Sequence, residues 1–96
     1  METYSVYIIT NKINGVLYIG VTKDLKRRIR QHKNKVHPTT FSARYNLNVL
    51  VYFEHHETKE NALLREKRMK KWNRDWKVEL IEKENPTWED LVDKIK

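Results

Sequence analysis

Two runs of β-branched and aromatic residues, Tyr4 to Thr10 and Val16 to Val21, flank the segment Asn11-Lys12-Ile13-Asn14-Gly15. No other feature constrains the fold as strongly. An Asn-Gly pair between two such runs supplies the tight turn that joins antiparallel strands, so the chain opens on a β-hairpin. A lone hairpin is marginal in water and needs further strands or helices against its apolar side. Leu47 to Glu54, reading Leu-Asn-Val-Leu-Val-Tyr-Phe-Glu, provides a third, well-buried strand.

Helices fill the intervals. Thr22 or Asp24 caps the first, in which Leu25, Ile29 and Val36 recur at spacings of four and seven and line one stripe. Pro38 ends that helix or lies just beyond it, and Thr39 to Asn46 reads as a polar loop or a short turn of helix. Thr58, followed by Glu60 and Asn61, opens a second helix through Ala62, Leu63, Met69 and Trp72 to about Asn73, with Glu66 inside its apolar arc. Trp76 to Ile81 forms a short helix. Asn85-Pro86-Thr87 then leads into a last one, capped by the threonine and carrying Trp88, Leu91, Val92 and Ile95. The order β-β-α-β-α-α-α implies an α/β (α+β) fold, a small three-stranded, mainly antiparallel sheet packed with helices. Residues 1–96 are expected to form one domain, with a core to about residue 73 and a helical tail from about residue 74.

Composition removes several classes of function. Charged residues make up 34% and hydrophobic residues 39%, a balance that suits a folded soluble chain. No apolar run approaches the roughly 20 residues a bilayer needs, and Tyr4 to Thr10 lacks the basic start and cleavage site of a signal peptide, so a cytoplasmic location is expected. The absence of cysteine excludes disulfides and thiolate zinc sites. The net charge of +7 is concentrated in two blocks, one from Lys23 to Lys35 and one from Arg65 to Lys77, whereas the C-terminal stretch from Glu79 to Asp93 is acidic. Such blocks either draw in a polyanion or form ordinary solvated helix faces.

Within this frame a few residues can carry chemistry. Tyr7 and Tyr18 occupy related places in the hairpin, where tyrosine is also a common strand residue. Arg28 and His32, four residues apart, project from one helical face beside the Leu25 and Ile29 stripe. Arginine offers planar donors for a charged phosphoryl group and histidine exchanges a proton near neutrality; the alternative is a solvated arginine and a histidine at the core edge. Glu66 on an inward face needs a partner, either a hard cation or Lys70 one turn later.

The ordered set Tyr7, Tyr18-Ile19-Gly20, Asp24-Leu25, Arg27-Arg28, His32 and Arg65-Glu66 resembles the GIY-YIG nuclease superfamily. The likeness is to its short stand-alone members, which are similar to the nuclease domain of a bacterial excision-repair protein. It extends through Trp76-Lys77 and Asn85-Pro86-Thr87-Trp88. The first motif reads Ser5-Val6-Tyr7 where the family name expects Gly-Ile-Tyr, and neither Asn73 nor Asn85 falls at the place of the family's supporting asparagine. The resemblance implies that Tyr7 and Tyr18 orient or deprotonate the attacking water, Arg28 stabilises the transition state, His32 assists proton transfer and Glu66 binds the metal. Mg²⁺ is the expected ion, with Mn²⁺ a substitute. DNA is the expected partner, with RNA an alternative, and Lys23, Lys26, Arg27, Arg30, Lys33 and Lys70 the expected phosphate contacts. Larger relatives attach separate recognition domains, so little sequence specificity is expected of this chain. Two other readings stand beside an endonuclease: a binding module of the same fold that cleaves weakly or not at all, and a protein-interaction domain displaying the acidic C-terminal helix.

Overall fold

The computed structural model describes residues 3–34 and 45–95. Strand β1 (Tyr4–Thr10) lies between β2 (Leu17–Thr22) and β3 (Val49–His56), and both pairings are antiparallel. At the hairpin turn the left-handed conformation falls on Asn14, at φ 58°, rather than on the glycine. Gly15 is needed for space instead, since a Cβ there would sit 2.0 Å from Asn11 Oδ1, which accepts a hydrogen bond from the Val16 amide at 3.0 Å.

Strand alternation divides the core between the two faces of the sheet. Val6 and Ile8 of β1, Ile19 of β2 and Val51 and Tyr52 of β3 pack with Ala62, Met69, Ile81 and Trp88. Tyr7 and Ile9, with Leu50, pack with Leu25, Ile29, Leu47 and Ile95. The central strand is therefore buried from Ser5 onward. A register shift between Ile8 and Ile9, opposite Tyr52 and Leu50, leaves Val51 as an extra residue, so that Val51 and Tyr52 both join one cluster.

Among the described residues three helices cover the sheet: α1 (Leu25–Lys33), α2 (Lys59–Lys71) and α3 (Arg74–Glu84). Each begins on a side-chain cap, Asp24 accepting from the Arg27 amide, Thr58 from that of Asn61 and Asn73 from that of Trp76. Caps of this kind contribute about 1 kcal/mol each. Thr22 is not the cap; its hydroxyl bonds to the Asp24 backbone and shapes the approach to α1. Val36 and Pro38, with most of the expected loop before β3, lie outside the described residues. No helix among the described residues is long and apolar enough to cross a membrane.

Two expectations need correction. The third helix is longer than Trp76 to Ile81, because the Asn73 cap starts it at Arg74. The final helix does not form: Trp88 adopts φ 57° and only a 3₁₀ turn, Val92–Lys94, follows. Asn85, not Thr87, organises this stretch. Its amide donates to the carbonyls of Val51 and Glu89 while its oxygen accepts from the Glu89 amide. Leu91 N donates to Leu50 O, so backbone groups that a helix would have paired internally are used to dock the tail on β3.

Candidate active site

Tyr7 faces Gly20 across the β1–β2 ladder, and this pairing sets the position of its ring. A Cβ at Gly20 would meet Tyr7 Oη at 2.5 Å and Cζ at 2.6 Å, so the phenol lies directly against the bare backbone of β2. Tyr18 stands two residues earlier on the same face, its ring centroid 6.5 Å from that of Tyr7. Burial of Leu25 and Ile29 turns one side of α1 towards this face. The i,i+4 pair Arg28 and His32 follows from that rotation. His32 Nε2 shares a hydrogen bond of 3.0 Å with Tyr7 Oη, and its ring stands 5.7 Å from Tyr7 and 6.0 Å from Tyr18.

The electrostatics of Tyr7 summarise its surroundings. Burial pushes the phenol up to about 12, and the neighbouring Tyr18 adds to the rise. Arg28 opposes it through charge and a hydrogen bond, while the Glu66 carboxylate raises it slightly further. Tyr7 is thus a neutral hydroxyl at physiological pH, hydrogen-bonded to an imidazole and a guanidinium and within the field of a carboxylate. Tyr7, Tyr18, Arg28 and His32 form one contiguous group, and Glu66 acts on it electrostatically from α2, which packs over β1 and β2 through Ala62 and Met69.

Glu66 is four-fifths buried and pairs with Lys70 at 3.5 Å, the i,i+4 contact that the sequence allowed. Among the described residues there is no group of three or more histidines, cysteines, aspartates and glutamates that would cage a metal. A cation here would be held by one carboxylate and by oxygens from water or phosphate.

The expected phosphate contacts differ in availability. Lys23, Lys26, Arg27 and Arg30 are exposed. Lys23, Arg27 and Arg28 share with Thr22, Asp24 and Gln31 a cleft of about 130 Å³. Lys70 is exposed but paired with Glu66. Lys33 is engaged elsewhere, its ammonium donating to Asn48 O and pairing with Asp90, so it helps hold the tail.

Two contributions were not read from the sequence. Gly20 carries no functional group, yet it makes room for Tyr7; its only signal was its place in the Tyr-Ile-Gly motif. The second is a network around Glu54, which accepts from Tyr52 Oη at 2.7 Å, bonds His56 and takes Arg65 Nε on both oxygens at 3.2 and 3.1 Å. Burial pushes the Glu54 carboxyl up, but Tyr52, His56 and Arg65 together bring it below its ordinary value. Because Arg65 precedes Glu66, the network ties α2 to β3 next to the carboxylate. A strand-to-helix pairing of this kind leaves no periodic trace in a sequence.

Comparison with known proteins adds an independent line. The sequence profile of the GIY-YIG catalytic domain matches residues 3–79. The chain is 37% identical over 81 residues to a UPF0213 protein of Staphylococcus saprophyticus, covering 84% of this chain and 96% of that one. It is 36% identical over the same length to a UPF0213 protein of Staphylococcus aureus, with the same coverage. The solution NMR structure of a UPF0213 protein from Bacillus halodurans superposes with a TM-score of 0.57 at 26% identity, covering 92% of each chain.

Proposed function

The chain belongs to the GIY-YIG family, and from that premise we propose that it is a metal-dependent endonuclease hydrolysing DNA phosphodiester bonds, with Tyr7, Tyr18, Arg28, His32 and Glu66 as its catalytic residues. The observation that carries this reading is the buried Tyr7 hydroxyl, bonded to His32 and acted on by Arg28. With its pKa pushed up to about 12, Tyr7 is a poor base by itself. It is suited to a relay, in which a water proton reaches Oη as the phenol proton passes to a neutral His32 Nε2. The water oxygen bonds to phosphorus, the opposite P–O bond breaks, and the leaving oxygen takes a proton from solvent. Tyr18 orients the water. Arg28 neutralises the charge that builds on the phosphoryl oxygens.

Glu66 fits a hard divalent cation: its donors are oxygens, about a fifth of its side chain stays open to solvent, and Lys70 is an exposed partner that can be displaced. Mg²⁺ held there, or Mn²⁺ in its place, would supply charge neutralisation at the scissile phosphate. Lys23, Lys26, Arg27 and Arg30 contact the DNA backbone directly, Lys33 and Lys70 only after leaving their ion pairs, and contacts of this type impose no strong sequence preference. The Lys70 pair with Glu66 favours a second reading, a nucleic-acid-binding module of the same fold with weak or no cleavage, since it already balances the carboxylate. Incubating the purified chain with plasmid DNA, and separately with RNA, in Mg²⁺ and in EDTA decides between them. The endonuclease reading requires nicking of DNA in Mg²⁺ that EDTA abolishes; binding without nicking under any divalent ion would sink it.

A further inference from the structure

Trp76 is the most exposed tryptophan of the chain, at 57%, and none of the proposed chemistry uses it. It stands edge-on to Trp72 with centroids 6.1 Å apart and planes at 74°. The Arg65 guanidinium lies over the Trp72 ring, 5.0 Å from its centroid. Trp72 and Trp76, with Glu79, Leu80 and Lys83, line an open cleft of about 290 Å³.

We propose that this cleft is a stacking site for one unpaired nucleobase of a bound nucleic acid, an inference that rests on the nucleic-acid reading given above. Three observations support it. The indole of Trp76 offers an aromatic face of the kind on which bases of any identity stack, and Leu80 gives the cleft an apolar side. Glu79 can accept a hydrogen bond from an exocyclic amino group, as carboxylates do from cytosine, while Lys83 can donate to a base carbonyl or a phosphate. The surrounding charge fits a polyanion on one side: Arg68, Lys71 and Arg74 are exposed at the end of α2 and the start of α3. Asp75 and Glu82, with Val78, border an adjoining cleft on α3 that shares Glu79 and Lys83, and this acidic side turns the phosphate backbone towards α2.

The placement connects the cleft to Glu66. Trp72 is the C-cap residue of α2, six residues beyond Glu66, so the cleft adjoins the end of the helix that carries the carboxylate. A base inside an intact duplex has both faces stacked and cannot enter. The site therefore selects DNA that presents an unpaired nucleotide, whether a free single strand or a tail next to a duplex.

The test is equilibrium binding in EDTA, by anisotropy and tryptophan quenching, of three DNAs of equal phosphate number: a single strand, a blunt duplex and a duplex with a single-stranded tail. Wild type is compared with Trp76→Ala and Trp76→Phe. Trp76→Ala should weaken the single strand and the tailed duplex by roughly 5- to 100-fold, the range for losing one stacked base, and the blunt duplex by less than about 2-fold. Trp76→Phe should recover most of the loss. Equal effects of Trp76→Ala on all three DNAs, or on none, would overturn the stacking site while leaving the nuclease reading intact. So would a wild-type dimer in sedimentation that Trp76→Ala dissolves, because the cleft would then be covered by a second copy of the chain. Failure of the wild type to bind any of the three DNAs would sink both readings.

Discussion

Replacing Gly20 with alanine should disable the proposed site without altering any side chain in it. The new methyl carbon would fall 2.5 Å from Tyr7 Oη and 2.6 Å from Cζ. Non-bonded carbons settle near 3.5–4.0 Å, so the phenol must retreat by about 1 Å. Tyr7 has no exposed surface and packs in the cluster of Ile9, Leu25 and Ile29, so the retreat has to displace core neighbours. Overpacking of this kind costs about 1–3 kcal/mol. The same shift breaks the 3.0 Å hydrogen bond to His32 Nε2. A misplacement of about 1 Å at a reacting group lowers turnover by about 100-fold. The assay is single-turnover cleavage of a labelled oligonucleotide at a temperature where circular dichroism shows both proteins fully folded. Tyr7→Phe serves as the control, because it keeps the ring and removes the hydroxyl. If the glycine acts through that hydroxyl, adding Gly20→Ala to Tyr7→Phe should lower turnover little further. Wild-type turnover in folded Gly20→Ala, or fully additive losses in the double variant, would refute the reasoning.

Arg28 and Arg27 are adjacent in one basic block, but Arg28 acts on Tyr7 whereas Arg27 is exposed. Arg28→Ala should lower turnover at saturating DNA by at least about 100-fold with a small change in affinity, and Arg27→Ala should mainly weaken binding and reduce the salt slope by about one contact; equal effects on turnover would reduce both to a diffuse surface charge. Acid should weaken the clamp on α2. The Glu54 carboxyl lies below its ordinary 4.5 in the folded chain, so its contribution is present above that value and lost as pH falls through the folded one. Glu54→Gln should flatten the acid limb of stability against pH in urea titrations, and an unchanged limb would remove the network from the stability of the fold. In alkali the sign reverses: Tyr7 is raised from 10.0 to about 12, so its contribution is whole below 10 and lost as pH rises towards 12. Tyr7→Phe should abolish that part of the alkaline loss, observable in the same titrations.

The parts of this molecule that were legible in the sequence are those with a local period. The hairpin, the Leu25 and Ile29 part of the α1 stripe and the span of α2 each repeat within a few residues, and the structure has them nearly where the spacing puts them. Tyr7, Tyr18, Arg28 and His32 were readable as a group because strand alternation and an i,i+4 spacing send each pair to one face. β3 begins at Val49 rather than Leu47 because Leu47, though apolar and buried, joins the cluster from the approach to the strand. The tail misled for a different reason. Trp88, Leu91, Val92 and Ile95 have helical spacing, but the Asn85 side chain bonds the β3 backbone, and Asp90 accepts from the amides of Leu50 and Val92. The two contacts to β3 join residues 34 and 40 positions apart, beyond the reach of any local pattern. The same holds for Lys33, whose place in a basic block suggested a phosphate contact while its partner, Asp90, lies 57 residues away.

Glu66→Gln bears most directly on the claim that the chain hydrolyses DNA at this cluster, because it removes the charge that would hold a cation and leaves the shape of the side chain. Single-turnover cleavage and DNA binding should be measured on the same preparation, across a titration of Mg²⁺. Cleavage should fall to background at every Mg²⁺ concentration while the dissociation constant for DNA stays within about 2-fold, since a single carboxylate that is four-fifths buried contributes little to a contact dominated by exposed cations and phosphates. Cleavage by Glu66→Gln at the wild-type rate, with the wild-type dependence on Mg²⁺, would contradict the account.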